Sequence, residues 1–440
     1  MKRIRSFYLL IFFSFLQYIP GEEISNGLLT AEQSVDIALR NSPFSRRIEQ
    51  QYRLTRSGRY DLISPVLPQL SFSSGFSRFG AETDILIDPV PDLPASAQVF
   101  TVDEYRTLFS LFGNLFDLSS FVLLGQLNTV DEIADNSLRD SRAELALNVK
   151  ESFLTLVTLH NEVHVAQASL AQSEEQLEIA RELLRLGVIA RAELLRLETN
   201  FIEQRVNLIQ ASRVLENSLR GFADLIGVDP PVQIDTVLPF PDTEGPLPSL
   251  DSLRVLVLER NPGHRVSILT EENQRAAERA VRFRRVPTLS GSFSYGYTAP
   301  EMFTSLSQWR ENDFWSIGFD VNVMLFEGLS WRGQRIEAAA QSQIAQTEVE
   351  ISVNEVIQQL DAAYADLHAS REALTLVPDL LEAAQEEFRL IREQFRLGAA
   401  SALDLLQAQL TLNQAQLQSV SIITNHYRTE AVILRLVGEW

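Results

Sequence analysis

The sequence predicts a mainly α-helical fold with a small β part, in which helix, strand, strand, long helix and shorter helix occur twice in tandem. The first observation behind this prediction is an apolar seam whose spacings alternate between four and three residues, with Ser370 as its one polar member. Its members are Val349, Val353, Val356, Leu360, Ala363, Leu367, Ser370, Leu374, Val377, Leu381, Ala384, Phe388, Ile391 and Phe395. A 3.5-residue period held over this length indicates a coiled coil.

The second observation is that this helical hairpin occurs twice. Gly187 and Gly398 are 211 positions apart, and RLGVIARAELL (185–195) around the first matches RLGAASALDLL (396–406) around the second. The seam positions moved back by 211 are again mostly apolar. Because glycine commonly ends a helix, each hairpin is predicted to turn at its glycine tip. A repeat of this length indicates a duplicated architecture.

Composition excludes several function classes. The net charge of −20 argues against nucleic-acid binding and against adhesion to anionic lipid headgroups. The absence of cysteine excludes disulfides, thiolate metal sites and a lipid-modified N-terminal cysteine. Residues 1–21 have the basic start and apolar core of a signal peptide, and the apolar part is too short for a membrane anchor. The protein is therefore predicted to be exported, as a secreted, periplasmic or β-barrel membrane protein.

Repeat 1 is predicted to span residues 22–228. Its first strand is indicated by Leu70, Phe72 and Phe76, which alternate with serine and glycine. The predicted elements are a helix at about 30–64, strands at about 67–78 and 105–116 with an acidic loop at 79–100 between them, a long helix at about 119–186, a tip near 187 and a helix at 190–226.

A linker and the second repeat complete the chain. Residues 229–248 contain six prolines, which disfavour regular structure. Repeat 2 is predicted at 249–440, with strands at about 287–298 and 314–326 and a tip near 398. The strands alternate apolar with small polar residues, so one face is expected to meet lipid and the other water. Four strands are too few to close a barrel in a membrane. Several copies must then pool their strands, and three copies would supply twelve. Two soluble hairpins packed on the coil are the alternative.

Taken together, these features resemble the outer-membrane factor family of TolC-type efflux channels. The resemblance rests on the two repeats, the strand starts VLPQLSFSSGF (66–76) and VPTLSGSFSYG (286–296), the strand-to-helix turn VNVMLFEG (321–328) and the paired tips. It implies a homotrimer with a twelve-stranded outer-membrane β-barrel joined to a long α-helical coiled-coil barrel in the periplasm.

The resemblance also implies a function. Such a protein is the exit duct of a tripartite efflux or type I secretion system and extends from the outer membrane into the periplasm. Its implied partners are outer-membrane lipid, a periplasmic adaptor (membrane fusion protein) and an inner-membrane transporter of RND, ABC or MFS type. No cofactor, nucleic acid or enzymatic activity is implied. A periplasmic coiled-coil spacer or scaffold without a transport role is the alternative function.

Gating residues carried over from the resemblance lie at the tips, which would form the periplasmic entrance. Asp404 corresponds to the family's acidic constriction, and Glu193 is its equivalent in repeat 1. Phe395 and Ala400 stand where the family's best-known member has a tyrosine and an arginine that hold the entrance shut. That lock is therefore expected to be weaker or built differently. Gln407 replaces a second acid one turn after Asp404.

The tips are also the predicted docking site for the adaptor. The residues concerned are Gly187, Gly398, Arg185, Leu186, Arg396 and Leu397. A purely structural role as helix C-caps is expected for both glycines in any case. His160 and His164 have the i, i+4 spacing of metal ligands, but no third ligand accompanies them, so no metal site is predicted.

Overall fold

The computed structural model describes residues 28–83, 98–241, 245 and 247–439. The predicted signal peptide, 1–21, lies outside the described residues. The helices are α1 (Ala31–Asn41), α2 (Pro43–Ile63), α3 (Leu118–Leu124), α4 (Leu127–Arg185), α5 (Arg191–Ile226), α6 (Leu250–Arg260), α7 (Pro262–Phe283), α8 (Leu306–Glu311), α9 (Ser330–Arg396) and α10 (Ala402–Val437). The strands are β1 (Gln69–Thr83), β2 (Gln98–Phe116), β3 (Thr288–Ala299) and β4 (Asp313–Asn322). The prediction of a mainly helical chain with a small sheet is confirmed.

Two compact units divide the chain. The first consists of Met1–Arg46, Asn148–Thr243 and Glu372–Arg428, and it contains both hairpin tips. Its core includes Leu177, Leu197, Phe388, Phe395 and Leu405. The second consists of Arg47–Leu147, Glu244–Arg371 and Thr429–Trp440 and contains the whole sheet. Its core includes Leu253, Val257, Leu360, Leu367 and Leu436.

The predicted coiled-coil seam is buried. Of its members, Val356, Leu360, Ala363, Leu367, Ser370, Leu374, Val377, Ala384, Phe388 and Phe395 are all less than a tenth exposed. Burial of such a row accounts for the helical register of α9, because packing of an apolar face stabilises a long helix more than local propensity does. None of the helices, within the part of the chain that the structure describes, has both the length and the hydropathy to cross a bilayer.

The first predicted helix of each repeat is in fact two helices. Ser42 separates α1 from α2 with an extended backbone, and Asn261 separates α6 from α7 in the same way. Each is followed by a proline, which disfavours the α conformation in the residue before it. The Ser42 hydroxyl donates to the carbonyl of Leu225 (2.7 Å), and the Asn261 amide donates to the carbonyl of Leu436 (3.0 Å).

The long helix of repeat 1 is also interrupted. It was predicted as continuous from about 119, but α3 ends at Leu124 and α4 begins at Leu127. Asp117 starts α3 by accepting hydrogen bonds from the backbone N–H (3.0 Å) and hydroxyl (2.6 Å) of Ser119. Gly125, whose helix propensity is low, closes α3. In repeat 2 the corresponding α9 is unbroken from Ser330.

The strands form one antiparallel sheet in the order β1-β2-β3-β4. Phe72 lies opposite Phe109, which in turn lies opposite Tyr295, and Tyr295 lies opposite Trp315. An apolar, largely exposed face therefore crosses all four strands. Its members include Leu70, Phe72, Phe76, Tyr105, Phe109, Leu111, Phe293, Tyr295, Trp315, Ile317, Phe319 and Val321. The opposite face carries mostly serine, glycine and charged residues, including Ser71, Ser73, Gly75, Ser110, Ser292 and Ser316.

The strand ends differ from the sequence prediction. Parts of 79–100, predicted as loop, are strand: β1 continues to Thr83 and β2 begins at Gln98. These ends pair with each other in register, so backbone pairing overrides the weak local pattern. β4 ends at Asn322 instead of about 326. A short helix, α8, lies in the β3–β4 connection, where Trp309 donates to the Tyr295 hydroxyl (2.9 Å).

Candidate functional site at the hairpin tips

Both tips end their long helix with the same hydrogen-bond arrangement. After α4, the N–H of Gly187 donates to Leu184 (3.0 Å) and the N–H of Val188 donates to Leu183 (2.9 Å). After α9, Gly398 donates to Phe395 (3.0 Å) and Ala399 to Gln394 (2.8 Å). Gly187 and Gly398 have φ of 72° and 74°, in the left-handed region that glycine adopts without strain. These Schellman motifs explain the glycine in the RLG sequence of each tip.

The two tips lie side by side. A Cβ atom built on Gly398 would be 2.6 Å from Cγ1 of Val188, whereas one built on Gly187 would meet nothing within 4 Å. Gly398 therefore serves two purposes, a left-handed turn and a close approach between the tips. Its equivalent in repeat 1 serves only the first.

A leucine projects from each tip. Leu186 is 64% exposed and Leu397 is 82% exposed, although both are large and apolar. Beside each stands an arginine in an ion pair with the preceding turn: Arg185 Nε lies 3.0 Å from a Glu182 carboxylate oxygen, and Arg396 pairs with Glu393 at 3.5 Å. An exposed apolar residue beside a fixed guanidinium is suited to binding a partner protein.

Asp404 caps the helix that follows the second tip. One carboxylate oxygen accepts from the Ser401 N–H (3.1 Å) and from the Ser401 hydroxyl (2.7 Å), while Asp404's own N–H donates to that hydroxyl (3.2 Å). These hydrogen bonds from Ser401 lower the pKa of Asp404 below its usual value. The carboxylate is exposed and stays ionised, so its capping role leaves its charge available.

The first tip lacks this capping box. Ala190 stands where repeat 2 has Ser401, and no side chain caps α5. Glu193, the equivalent of Asp404, lies in the first turn of α5 and is half-buried. The sequence S-x-x-D at 401–404 signals the box directly, and this signal was not used in the sequence analysis.

Phe395 and Gln407 have opposite environments. Phe395 is 1% exposed and packs in the core of the first unit. A ring buried in this way stabilises the tip and is not directed toward solvent. Gln407 is exposed, one helical turn after Asp404. Among the predicted entrance residues, Asp404 and Gln407 thus share an accessible stretch of α10.

A groove of about 420 Å³ runs along α5 next to the tips. It is lined by Ala192, Leu195, Arg196, Thr199, Asn200, Glu203 and Leu406. The apolar part continues along α5 through Ile202, Val206 and Ile209, which are all exposed. This face of α5 was not predicted from the sequence.

A buried polar layer lies farther from the tips in the same unit. Gln176 donates its amide to the Gln409 side-chain oxygen (3.0 Å), and Gln409 donates to the carbonyl of Ser169 (3.3 Å). Gln176 and Gln409 are each at most 3% exposed. This pair was not predicted from the sequence, because the two residues lie on different helices and are 233 positions apart.

The described residues contain no group of three histidine, aspartate or glutamate side chains that could hold a metal ion. His160 and His164 both lie exposed on α4. His264 is buried, and its Nδ1 is hydrogen-bonded to the Ser352 hydroxyl (2.8 Å). Burial lowers the pKa of His264, which favours the neutral ring.

Comparisons with known proteins find similarity to outer-membrane efflux and secretion proteins. The family model described as outer membrane efflux protein matches residues 253–439. The proteases secretion protein PrtF of Dickeya chrysanthemi is 23% identical over 70% of this chain and 67% of its own length. The outer membrane protein TolC of Salmonella enteritidis is 19% identical over 81% of this chain and 71% of its own length. The chain thus spans about two thirds of the curated relatives it matches.

The fold is shared with a solved channel. The Campylobacter jejuni CmeC outer membrane channel superposes with a TM-score of 0.79 at 16% identity, over 93% of this chain and 85% of that one. At such identity the likeness concerns the fold, and it includes both repeats. The resemblance to TolC-type channels is confirmed by these findings.

Proposed function

We propose, from the premise that this chain is a relative of the TolC-type outer-membrane efflux proteins, that it is an outer-membrane exit duct. It would pass substrates from an inner-membrane pump across the periplasm and the outer membrane. The relatives carry names of secretion, efflux and outer-membrane proteins, which are names of transport components and not of enzymes.

The observation that carries this proposal is the two-faced sheet. Its apolar face exposes Phe72, Trp315, Ile317 and Phe319, and a protein in water rarely exposes so continuous an aromatic and aliphatic surface. Lipid is the natural environment for such a face, and the serine and glycine face suits a water-filled interior.

Closure of that sheet requires further copies of the chain. Strands in lipid need every backbone group paired, so the free edges of β1 and β4 must meet other strands. Three copies would supply twelve strands, which is enough for a barrel with an aqueous lumen. We therefore propose a homotrimer in which a twelve-stranded barrel continues into a helical coiled-coil tunnel.

The hairpin tips would form the periplasmic entrance. Three copies of Asp404 around an axis would make an anionic ring, and the hydrogen bonds from Ser401, which lower the pKa of Asp404, favour the charged form in each copy. Glu193 would support the neighbouring hairpin, and Gln407 would line the mouth. Phe395, as a buried ring, would act by holding the tip in place.

The proposed partners follow from the same surface. Leu186 and Leu397, with Arg185, Arg396 and the turns at Gly187 and Gly398, would bind a periplasmic adaptor. Through that adaptor the duct would join an inner-membrane transporter of RND, ABC or MFS type. A periplasmic spacer without a transport role remains the competing function, and the exposed aromatic face of the sheet disfavours it.

Conductance of the purified protein in a planar lipid bilayer tests the proposal. We expect discrete steps from the wild type, and Asp404→Ala should change their size or their block by cations. Glu387→Ala, which removes an equal charge from an exposed position on α9 outside the predicted entrance, is the matched control and should behave as the wild type. Conductance steps that are the same in Asp404→Ala and the wild type would support the duct, but they would mean that the constriction lies at other residues. A folded protein that stays monomeric without detergent and gives no steps, with Asp404→Ala equally silent, would contradict the duct and favour the spacer.

A further inference from the structure

Four exposed arginines gather where the helices of repeat 2 join the sheet. Arg284 and Arg285 lie between the end of α7 and the start of β3, and Arg332 and Arg335 lie in the first turns of α9. We call these four residues the arginine patch. Thr288 pairs with Asn322 at the adjacent edge of the sheet, so the patch lies at the helix-proximal end of the strands.

Trp331 organises the patch. The guanidinium of Arg285 lies 4.1 Å from the centre of the indole ring, and that of Arg335 lies 5.5 Å from it. The indole N–H donates to the carbonyl of Val281 (3.4 Å), which fixes the ring against α7. Arg284 donates to the side-chain oxygen of Gln334. Cation–π contacts hold Arg285 and Arg335, and a hydrogen bond to a side-chain amide holds Arg284, without neutralising their charges.

The patch lacks the acidic partners that several other arginines of the same unit have. In the same unit Arg56, Arg254 and Arg435 form ion pairs with Asp131, Asp361 and Glu144. Among the described residues, no carboxylate pairs with any of the four patch arginines.

The corresponding positions of repeat 1 show that the fold does not need this charge. When the strand starts Pro68 and Pro287 are aligned, Pro65 and Val66 stand in place of Arg284 and Arg285. When the turns Leu115-Phe116-Asp117 and Leu325-Phe326-Glu327 are aligned, Phe121, Val122 and Gly125 stand in place of Trp331, Arg332 and Arg335. The basic surface is therefore particular to repeat 2.

We propose that the arginine patch binds the phosphate groups of anionic phospholipids at the periplasmic surface of the outer membrane. This rests on the proposed function, which puts the sheet in the membrane and the helices in the periplasm. The helix-proximal end of the sheet is then at the level of the inner-leaflet headgroups. A guanidinium group can donate two parallel hydrogen bonds to two oxygens of one phosphate. Tryptophan is enriched at the membrane–water interface, which is the depth proposed for Trp331.

The local charge offsets the repulsion that the rest of the chain imposes. With a net charge of −20, the protein as a whole should avoid an anionic surface. Four unpaired arginines at one level provide a local attraction, which falls off within a Debye length and is not cancelled by distant acids. The binding is expected once per protomer, beside repeat 2.

Lipid retention by the purified full-length protein in detergent tests this proposal. Native mass spectrometry would count bound phosphatidylglycerol and bound phosphatidylcholine for the wild type and for Arg285→Gln/Arg332→Gln/Arg335→Gln. The control is Arg181→Gln/Arg220→Gln/Arg389→Gln, which removes equal charge from exposed helical arginines paired with Glu178, Glu216 and Glu386. A version with the patch residues changed to lysine keeps the charge and checks that the site still folds.

The wild type and the control triple should prefer phosphatidylglycerol, and the patch triple should lose about tenfold or more of that preference. The lysine version should keep part of it. An equal preference in all proteins, or displacement of the lipid by an equal concentration of inorganic phosphate, would overturn the headgroup assignment. Insertion into vesicles separates this from the proposed function: a wild type that inserts into neither neutral nor anionic vesicles would overturn the membrane location itself, and the lipid proposal with it.

Discussion

Gly398 of the second tip lies directly against Val188 of the first, with only 2.6 Å between Val188 Cγ1 and the position that a Cβ on Gly398 would occupy. Because both residues follow the end of a long helix, this contact joins the two hairpins at their turns. The tips therefore cannot move apart without losing it, and a side chain at Gly398 would force that of Val188 to move.

We expect Gly398→Ala to destabilise the protein more than Gly187→Ala. Both substitutions force alanine into a left-handed conformation, which costs roughly 1–2 kcal/mol. Only the change at Gly398 adds a steric clash, since the space around Gly187 is open. The free energy of unfolding in detergent and the hydrogen exchange of tip amides would measure the difference.

Val188→Ala provides the control for that comparison because it removes the atom that the new methyl group would strike. Combined with Gly398→Ala, it should restore stability to about the level of Gly187→Ala. A double variant as unstable as Gly398→Ala with Val188 intact would show that strain in the backbone, and not the tip contact, dominates.

Two substitutions in the capping box at the second tip should separate the structural role of Asp404 from the effect of its charge. Ser401→Ala removes the hydroxyl that binds the Asp404 N–H and should cost about 1 kcal/mol of stability, while leaving the carboxylate charged. Asp404→Asn removes the charge but keeps a side-chain oxygen for the cap. Cation block of the channel should therefore respond to Asp404→Asn and much less to Ser401→Ala. Equal effects on block would attribute the phenotype to the cap.

The same box predicts a pH dependence. Hydrogen bonds from Ser401 depress the folded-state pKa of Asp404, so this carboxylate stabilises the folded protein above its unfolded pKa, near 3.9. That stabilisation is lost as the pH falls through the lower, folded-state pKa. In Asp404→Asn the melting temperature should decline less between about pH 5 and pH 3 than in the wild type. A parallel decline in both proteins would contradict the assignment.

Local sequence patterns predicted much of the fold, and long-range contacts account for most of what was missed. The seam through Leu360 and Leu374 is repetitive enough to reveal a buried helix face, and the RLG tips reveal their own turns. The strand ends at Thr83 and Gln98 were missed because they depend on pairing with each other. The break at Ser42 could have been predicted from the following proline.

At the candidate site, too, local features could be predicted from the sequence and long-range contacts could not. The capping role of Asp404 is local and readable from Ser401 three residues before it. Phe395 was predicted both as the last member of the seam and as an entrance residue, and its burial agrees with the first of these roles. The contact of Gly398 with Val188 joins residues more than two hundred positions apart, and no local sequence pattern predicts it.

The buried glutamine pair predicts strong non-additivity. Gln409→Leu removes the acceptor for the Gln176 amide and leaves a polar group in the core without a partner, at a cost of about 1–3 kcal/mol. Replacing both residues with leucine removes the orphaned group, so the double variant should be more stable than Gln409→Leu alone. Chemical denaturation of the single and double variants would measure this. Additive losses would show that the hydrogen bond contributes little.

The two faces of β1 predict opposite responses to the same substitution. Phe72 lies on the apolar face against Phe109, with ring centres 4.9 Å apart, and its neighbour Ser71 lies on the other face opposite Ser110. If the apolar face meets lipid, Phe72→Lys should lower the stability of the inserted protein by about 2–4 kcal/mol near mid-membrane. Ser71→Lys, one residue away, places its charge in the aqueous interior and should insert normally, with a change in ion selectivity. Heat-resistant oligomers on gels and insertion into lipid vesicles would report both effects. Normal insertion of Phe72→Lys, together with failure of Ser71→Lys, would mean that the sheet faces lipid with its other side.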